Sequence, residues 1–437
     1  SMKKYFLAVA SFFIYSHISL GQVYPGQMDS TFVPVRSHHY DPELTFDFCV
    51  NEPAWSNQAG IHSAFGSTDR LYFRKEVPVN HDNDLSSSYS TTVWRGERAN
   101  AQILVWSSEA LEQVRVSTQD LRSAEGNIIP KDRITFELVR YVLSNYPYAE
   151  KKAICGESPY KSGFLMPDRF ETLDRFDLPS QTTRPVWMMV DVPRGTVPGT
   201  YKGQVEVRAK GKAPQLLNLE IVVQNQLLPY PKDWKYRLDL WQNPWAVAWY
   251  NHVEPWSPEH KMLLKQHLKH YADAGGTYIT TYGVHSPWSD NSYMIEGGMI
   301  EWIKKADGTW AFDYKIFDEY VELAMECGID EAITLYTPIP WGFRHRYKDE
   351  ATGDYSYINW APSSEEFKKM WNIFLTDFKF HLEAKSWLDI TYIGINENPM
   401  EETLAAINVV RNHDKCWKIT YAGNWHKELD GLRSEEH

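Results

Sequence analysis

Cysteine is scarce in this sequence, and basic charge is in deficit. The four cysteines among 437 residues (Cys49, Cys155, Cys327 and Cys416) stand far apart, with no CxxC and no tight Cys/His spacing. That argues against a zinc site and makes buried free thiols the default, with a Cys49–Cys155 bridge as the alternative in an oxidising compartment. Lys and Arg number 45 against 57 Asp and Glu, a net charge of −12. Nucleic acid and anionic membranes need a basic footprint, so neither is expected as a partner. A Gly-rich phosphate loop, HExxH and GxSxG are all missing, which weighs against nucleotide, metalloprotease and serine-esterase chemistry. No metal or other cofactor is implied. Nor is there an uncharged apolar run of the ~18 residues that a transmembrane helix needs.

The one notable apolar run, 5–15, follows Lys3 and Lys4 and precedes Ser19-Leu20-Gly21. That is the pattern of a secretory signal peptide over 1–21. No Cys follows the run, so no lipid anchor is expected, and Ser1 ahead of Met2 reads as an added residue. The mature chain is expected to be soluble and exported, to the periplasm or the extracellular space.

Aromatic residues are abundant: 18 Trp, 26 Tyr and 19 Phe, 14% of the chain. Large aromatic cores account for this. So does carbohydrate handling, because the apolar face of a pyranose stacks on an aromatic ring while its hydroxyls need polar partners. With 43% hydrophobic and 23% charged residues the chain has the composition of ordinary folded domains, and its length suggests two or three of them.

After an irregular, Ser/Asp/Asn-rich stretch (22–89), short alternating segments appear at 92–98, 101–106, 114–117, 134–142, 186–192, 204–209 and 217–223. Many short strands with Gly/Pro punctuation predict a β-sandwich over 90–228, on which the irregular stretch is expected to pack in part. Leu228-Pro229-Tyr230-Pro231 marks a linker, 229–235. The rhythm then becomes strand–helix. Strands are expected at 236–241, 277–282, 332–336, 390–395 and 418–422. Between them run helical stripes carrying Leu264/Leu268/Tyr271, Phe317/Tyr320/Val321/Ala324, Phe367/Met370/Trp371/Phe374/Leu375/Phe378 and Leu404/Ile407/Val410. Ser257-Pro258-Glu259 and Ser363/Ser364 with Glu366 supply helix starts. Such alternation predicts a parallel sheet covered by helices, either doubly wound or a (β/α)8-type barrel. A full barrel needs ~250 residues. The stretch 236–437 offers five readable strands, so an incomplete, C-terminally truncated barrel is expected there.

Barrel enzymes place their chemistry just beyond the strand ends. The strand at 390–395 runs into Asn396-Glu397-Asn398-Pro399. Glu397 can serve as general acid in glycoside hydrolysis if partial burial raises its pKa; the plainer alternative is that it caps the next helix. Other strand ends offer Trp241 and Asn243, Tyr282 and His285, Tyr336 and Trp341, and Asn424 and His426 as a substrate-binding wall. Each alone is more readily structural; five strand ends of this composition together suggest a sugar site.

Several of these segments resemble glycoside hydrolase family 123, the retaining β-N-acetylgalactosaminidases. They are Val93-Trp94-Arg95-Gly96-Glu97-Arg98, Asp239-Leu240-Trp241-Gln242-Asn243-Pro244, Trp310-Ala311-Phe312-Asp313-Tyr314, Pro340-Trp341 and Ala422-Gly423-Asn424-Trp425-His426. The resemblance implies a β-sandwich followed by a (β/α)8 barrel. It also implies removal of terminal β-linked N-acetylgalactosamine, with the substrate's own 2-acetamido oxygen attacking the anomeric carbon, an exception to the two-carboxylate scheme. In the family an adjacent Asp-Glu pair serves this chemistry. The Glu is acid then base, and the Asp orients the acetamide N–H and stabilises its developing positive charge. Here the Glu is Glu397, but Asn396 replaces the Asp. An amide can still accept the N–H. It supplies no full negative charge, a loss worth ~3 kcal/mol or about a hundredfold in rate. The Asn is an engineered substitution, a natural variant, or the mark of a weak or inactive relative that keeps glycan binding.

Overall fold

Alternation of apolar and polar side chains builds the first half of the chain. In the computed structural model, residues 52–80, 84–144, 164–172, 174–288, 297–424 and 426–432 are described. The segment read as a signal peptide, together with Cys49 and Cys155, lies outside them. The chain divides at Pro229/Tyr230 into two compact units.

Among the described residues the first unit has twelve strands: β1 (His62–Gly66), β2 (Ser88–Arg95), β3 (Arg98–Ser107), β4 (Leu111–Thr118), β5 (Leu121–Arg122), β6 (Ile128–Ile129), β7 (Ile134–Ser144), β8 (Phe164–Thr172), β9 (Phe176–Leu178), β10 (Thr182–Asp191), β11 (Gly199–Arg208) and β12 (Gln215–Leu227). One sheet runs β1-β3-β10-β7-β8, the other β2-β12-β11-β4-β9 with β5 and β6 at its side. Along β12, Leu217, Leu219, Ile221 and Val223 are buried at every second position, the period-2 signature of a strand with one face on a core. They share that core with Ile103, Val105, Leu138, Val186 and Met188 of the other sheet. β1 falls within the segment expected to be irregular; His62-Ser63-Ala64-Phe65-Gly66 pairs antiparallel with β3.

The second unit centres on four parallel strands in the order of the sequence, β13 (Tyr278–Tyr282), β16 (Ala332–Tyr336), β19 (Thr391–Ile395) and β20 (Lys418–Tyr421). Every residue of the first three is buried, as expected for a parallel sheet covered on both faces. The helices are α1 (Pro244–Asn251), α2 (Pro258–Asp273), α3 (Lys315–Glu326), α4 (Glu365–Lys385) and α5 (Met400–His413). The hydroxyls of Ser257 and Ser364 cap α2 and α4 by accepting from the backbone N–H groups of His260 and Phe367. The stripe from Phe367 to Phe378 is buried as a face of α4.

Two expectations change. No closed barrel forms among the described residues; the parallel sheet is open. The strand expected at 236–241 is reduced to one parallel bridge, Leu238 to Gly276. A second, smaller sheet is additional: β14 (Glu301–Lys304), β15 (Trp310–Asp313), β17 (Arg344–Asp349) and β18 (Tyr355–Asn359), in the order β15-β14-β17-β18. The β14–β15 hairpin lies in the connection from β13 to α3, and β17–β18 in that from β16 to α4. The two hairpins join through parallel pairing of Ile303 with Lys348 and Lys304 with Asp349.

Candidate functional site

The parallel strands all point the same way, so the residues just beyond their ends converge. Beyond β19 come Asn396 and Glu397, and beyond β20 Ala422, Gly423 and Asn424. With Trp241, Trp288 and Trp341, all of these except Asn424 line a cavity of about 380 Å³, within the range of small-molecule sites. Asn424 adjoins it, donating from Nδ2 to Glu397 Oε1 at 3.1 Å. Glu397 is exposed at this cavity rather than part-buried. It does not cap α5, whose N-cap is Pro399 with no side-chain bond.

The aromatic wall is built tightly. The Trp241 ring stacks on Trp288 at 4.8 Å and meets Tyr336 edge-on at 4.8 Å. Its indole N–H donates to the Tyr336 hydroxyl at 2.9 Å. Trp241 remains 45% exposed while Tyr336 is sealed beneath it, so Trp241 offers a face to a ligand and Tyr336 fixes that face. Burial pushes the Tyr336 phenol well above its ordinary pKa, with Asp239 adding to the rise. The Tyr421 hydroxyl is buried without a partner, and its pKa is raised by burial and then by Glu397.

Asn396 is 1% exposed. Its Oδ1 accepts from Thr337 Oγ1 at 3.3 Å and from Asn398 Nδ2 at 3.0 Å, while its Nδ2 has no partner.

The remaining expected wall residues do other work. Asn243 caps α1, its side-chain oxygen accepting from Ala246 N–H. Tyr282 is buried against Trp245 and Trp288 and donates to the Gln242 carbonyl. His285 and His426 are part-buried and do not line the cavity. The His285 imidazole is held down to about 4, by burial first and then by Arg346 and Arg344. Trp288, by contrast, was not singled out from the sequence. The signal was there, in Pro287-Trp288 a few residues beyond β13. No group of three His, Cys, Asp or Glu side chains fit to hold a metal exists among the described residues. Of the two described cysteines, Cys327 is buried as expected but Cys416 is exposed.

A cleft at the opposite end of the strands is lined by Lys232, Asp273, Gly276, Asp330 and Glu331 and lacks any tryptophan. The strand-end cavity therefore has the better claim: a carboxylate, flanking amides and an exposed apolar ring face suit acid–base work on a hydroxylated ligand that stacks.

Comparisons with known proteins place the chain in a family. The catalytic-domain model of glycoside hydrolase 123 matches residues 241–435, and the glycoside hydrolase 123 N-terminal domain matches residues 65–209. The structure of a family 123 glycoside hydrolase from Clostridium perfringens, studied for glycolipid glycan hydrolysis, is 26% identical with a TM-score of 0.76. The alignment covers 85% of this chain, which spans 66% of that structure's length. A family 39 glycoside hydrolase from Bacteroides cellulosilyticus WH2 aligns over 71% of this chain and 48% of its own at 13% identity, but its TM-score of 0.23 carries no weight. No curated protein sequence matches. With both of its domains matched in order, the chain belongs to glycoside hydrolase family 123.

Proposed function

We propose that the chain is an exported, soluble, retaining glycosidase that removes terminal β-linked N-acetylgalactosamine by substrate-assisted catalysis. The observation that carries this reading is Glu397, held by Asn424 at the rim of a cavity walled by Trp241, Trp288 and Trp341. The sugar stacks on the exposed Trp241 face. Glu397 protonates the departing glycosidic oxygen as the 2-acetamido oxygen attacks the anomeric carbon; as carboxylate, it then takes a proton from the water that opens the cyclic intermediate. Asn396 sits beside Glu397, where the acetamido group lies. Glycolipid glycans, on which the Clostridium perfringens relative was studied, are the proposed natural substrates.

The test is release of nitrophenol from its β-N-acetylgalactosaminide by this chain, its Glu397→Gln variant and its Asn396→Asp variant. Glu397→Gln is expected to lose ~10²–10⁴-fold in kcat with an unchanged melting temperature. Full activity in that variant overturns the assignment. Asn396→Asp is expected to gain about a hundredfold. A second reading, a glycan-binding relative with little turnover, is favoured by one observation: the neutral Asn396 stands where the charge-stabilising carboxylate is expected. Binding of N-acetylgalactosamine without nitrophenol release would select it.

A further inference from the structure

A neighbour dictates which way round the buried Asn396 amide sits. Ile339 is fully buried. Its backbone carbonyl lies 3.0 Å from one prong of the Asn398 amide. A carbonyl only accepts, so that prong is Nδ2. The same nitrogen sends its second hydrogen to Asn396, 3.0 Å away, so the Asn396 atom facing it is the acceptor, Oδ1. The backbone N–H of Ile339 donates to Thr337 Oγ1 at 3.4 Å, leaving the Thr337 hydroxyl hydrogen free to donate to the same Oδ1 at 3.3 Å. Both lone pairs of Oδ1 are thereby used. Nδ2, buried and unpartnered, is what the side chain has left, and Asn396 lines the cavity. Turning the amide over would set Nδ2 of Asn396 against Nδ2 of Asn398, two donors facing each other. Thr337 would tolerate the turn, since a hydroxyl can accept as well as donate; Asn398 would not.

We infer that Asn398 is a positioning residue that fixes Asn396 with its amide nitrogen toward the ligand, so that position 396 selects a hydrogen-bond acceptor at the 2-substituent of the bound sugar rather than the acetamide N–H. A carboxylate at 396 would keep both bonds to Oδ1 and offer a second oxygen, which is why a single O-for-N exchange reverses the preference. This inference rests on the N-acetylgalactosamine reading.

The experiment compares two ligands by calorimetric titration: methyl β-N-acetylgalactosaminide and methyl 2-O-acetyl-β-galactoside, in which an ester oxygen replaces the N–H. The chain as it stands is expected to bind the two within about threefold of each other, whereas Asn396→Asp should favour the acetamide by roughly tenfold or more. Asn398→Ala removes the donor that locks the amide, and is expected to shift the ratio toward the acetamide with Asn396 itself unchanged. Should that variant fail to fold, Asn398→Ser, which keeps a polar group of smaller reach, serves for the same ratio. Tenfold preference for the acetamide by the unsubstituted chain would overturn the inference while sparing the sugar assignment. So would a ratio that Asn398 variants leave unmoved. Failure of the chain and of Asn396→Asp to bind either sugar would overturn the N-acetylgalactosamine reading, and the inference with it.

Discussion

His345 shows how one buried side chain ties stability to acidity. It is 1% exposed, with Nδ1 against the Phe343 carbonyl and Nε2 accepting from the Trp371 indole. That fixes a neutral tautomer, and burial holds its pKa down to about 4. The unfolded chain binds the proton near ~6.5, so stability is whole above that value and drains away as pH falls toward 4, by about 3 kcal/mol in all. A His345→Gln variant should lack this component, which is read from denaturation midpoints of both proteins across the window. At this scale the candidate site was legible in part. Glu397 was visible because a carboxylate just beyond the fully buried strand β19 has few structural excuses, and Asn424 because it lies just beyond the next strand. Thr337 and Asn398 were not, since their effect on Asn396 depends on the backbone of Ile339, a residue with no chemistry of its own. Asn243 misled for the opposite reason: an Asn-Pro pair opens a helix as readily as it lines a site.

Among elements, the stripes with helical spacing were the most readable, because α2, α3, α4 and α5 each bury one face in the core of the second unit. The small sheet was hidden. Its strands are four to six residues long, and β18 is mostly exposed, so no period stands out. Trp302 of β14 is what fastens it. The ring stacks on Phe374 of α4 at 4.8 Å and lies edge-on to Phe312 of β15 at 5.1 Å, and its N–H donates to the Gly283 carbonyl just beyond β13. Trp302→Ala should cost ~3–5 kcal/mol in urea unfolding, and Trp302→Phe clearly less. Part of the tryptophan surplus has this explanation. Trp302, Trp360, Trp371, Trp387 and Trp417 are core residues, while three tryptophans face the cavity.

For the whole molecule, the Pro-rich boundary separates the two-sheet unit from the unit whose strands β13, β16 and β19 are buried at every residue, as parallel strands covered on both faces are. The first unit has a core of its own, spanning both of its sheets. Residues 52–229 expressed alone should therefore unfold cooperatively with a β-type circular dichroism spectrum; a featureless, non-cooperative melt would contradict this. The open parallel sheet was partly foreseen. The lost first strand was not, because Tyr236, Leu238 and Leu240 alternate with charged residues like a strand, while Tyr236 and Leu240 remain 70% and 55% exposed. The pairing of Ile303 and Lys304 with Lys348 and Asp349 makes the two hairpins a single structural unit. Anyone recombining family members to alter their selectivity cannot exchange one hairpin and keep the other. A chimera would have to carry both, as a lock is changed together with its key.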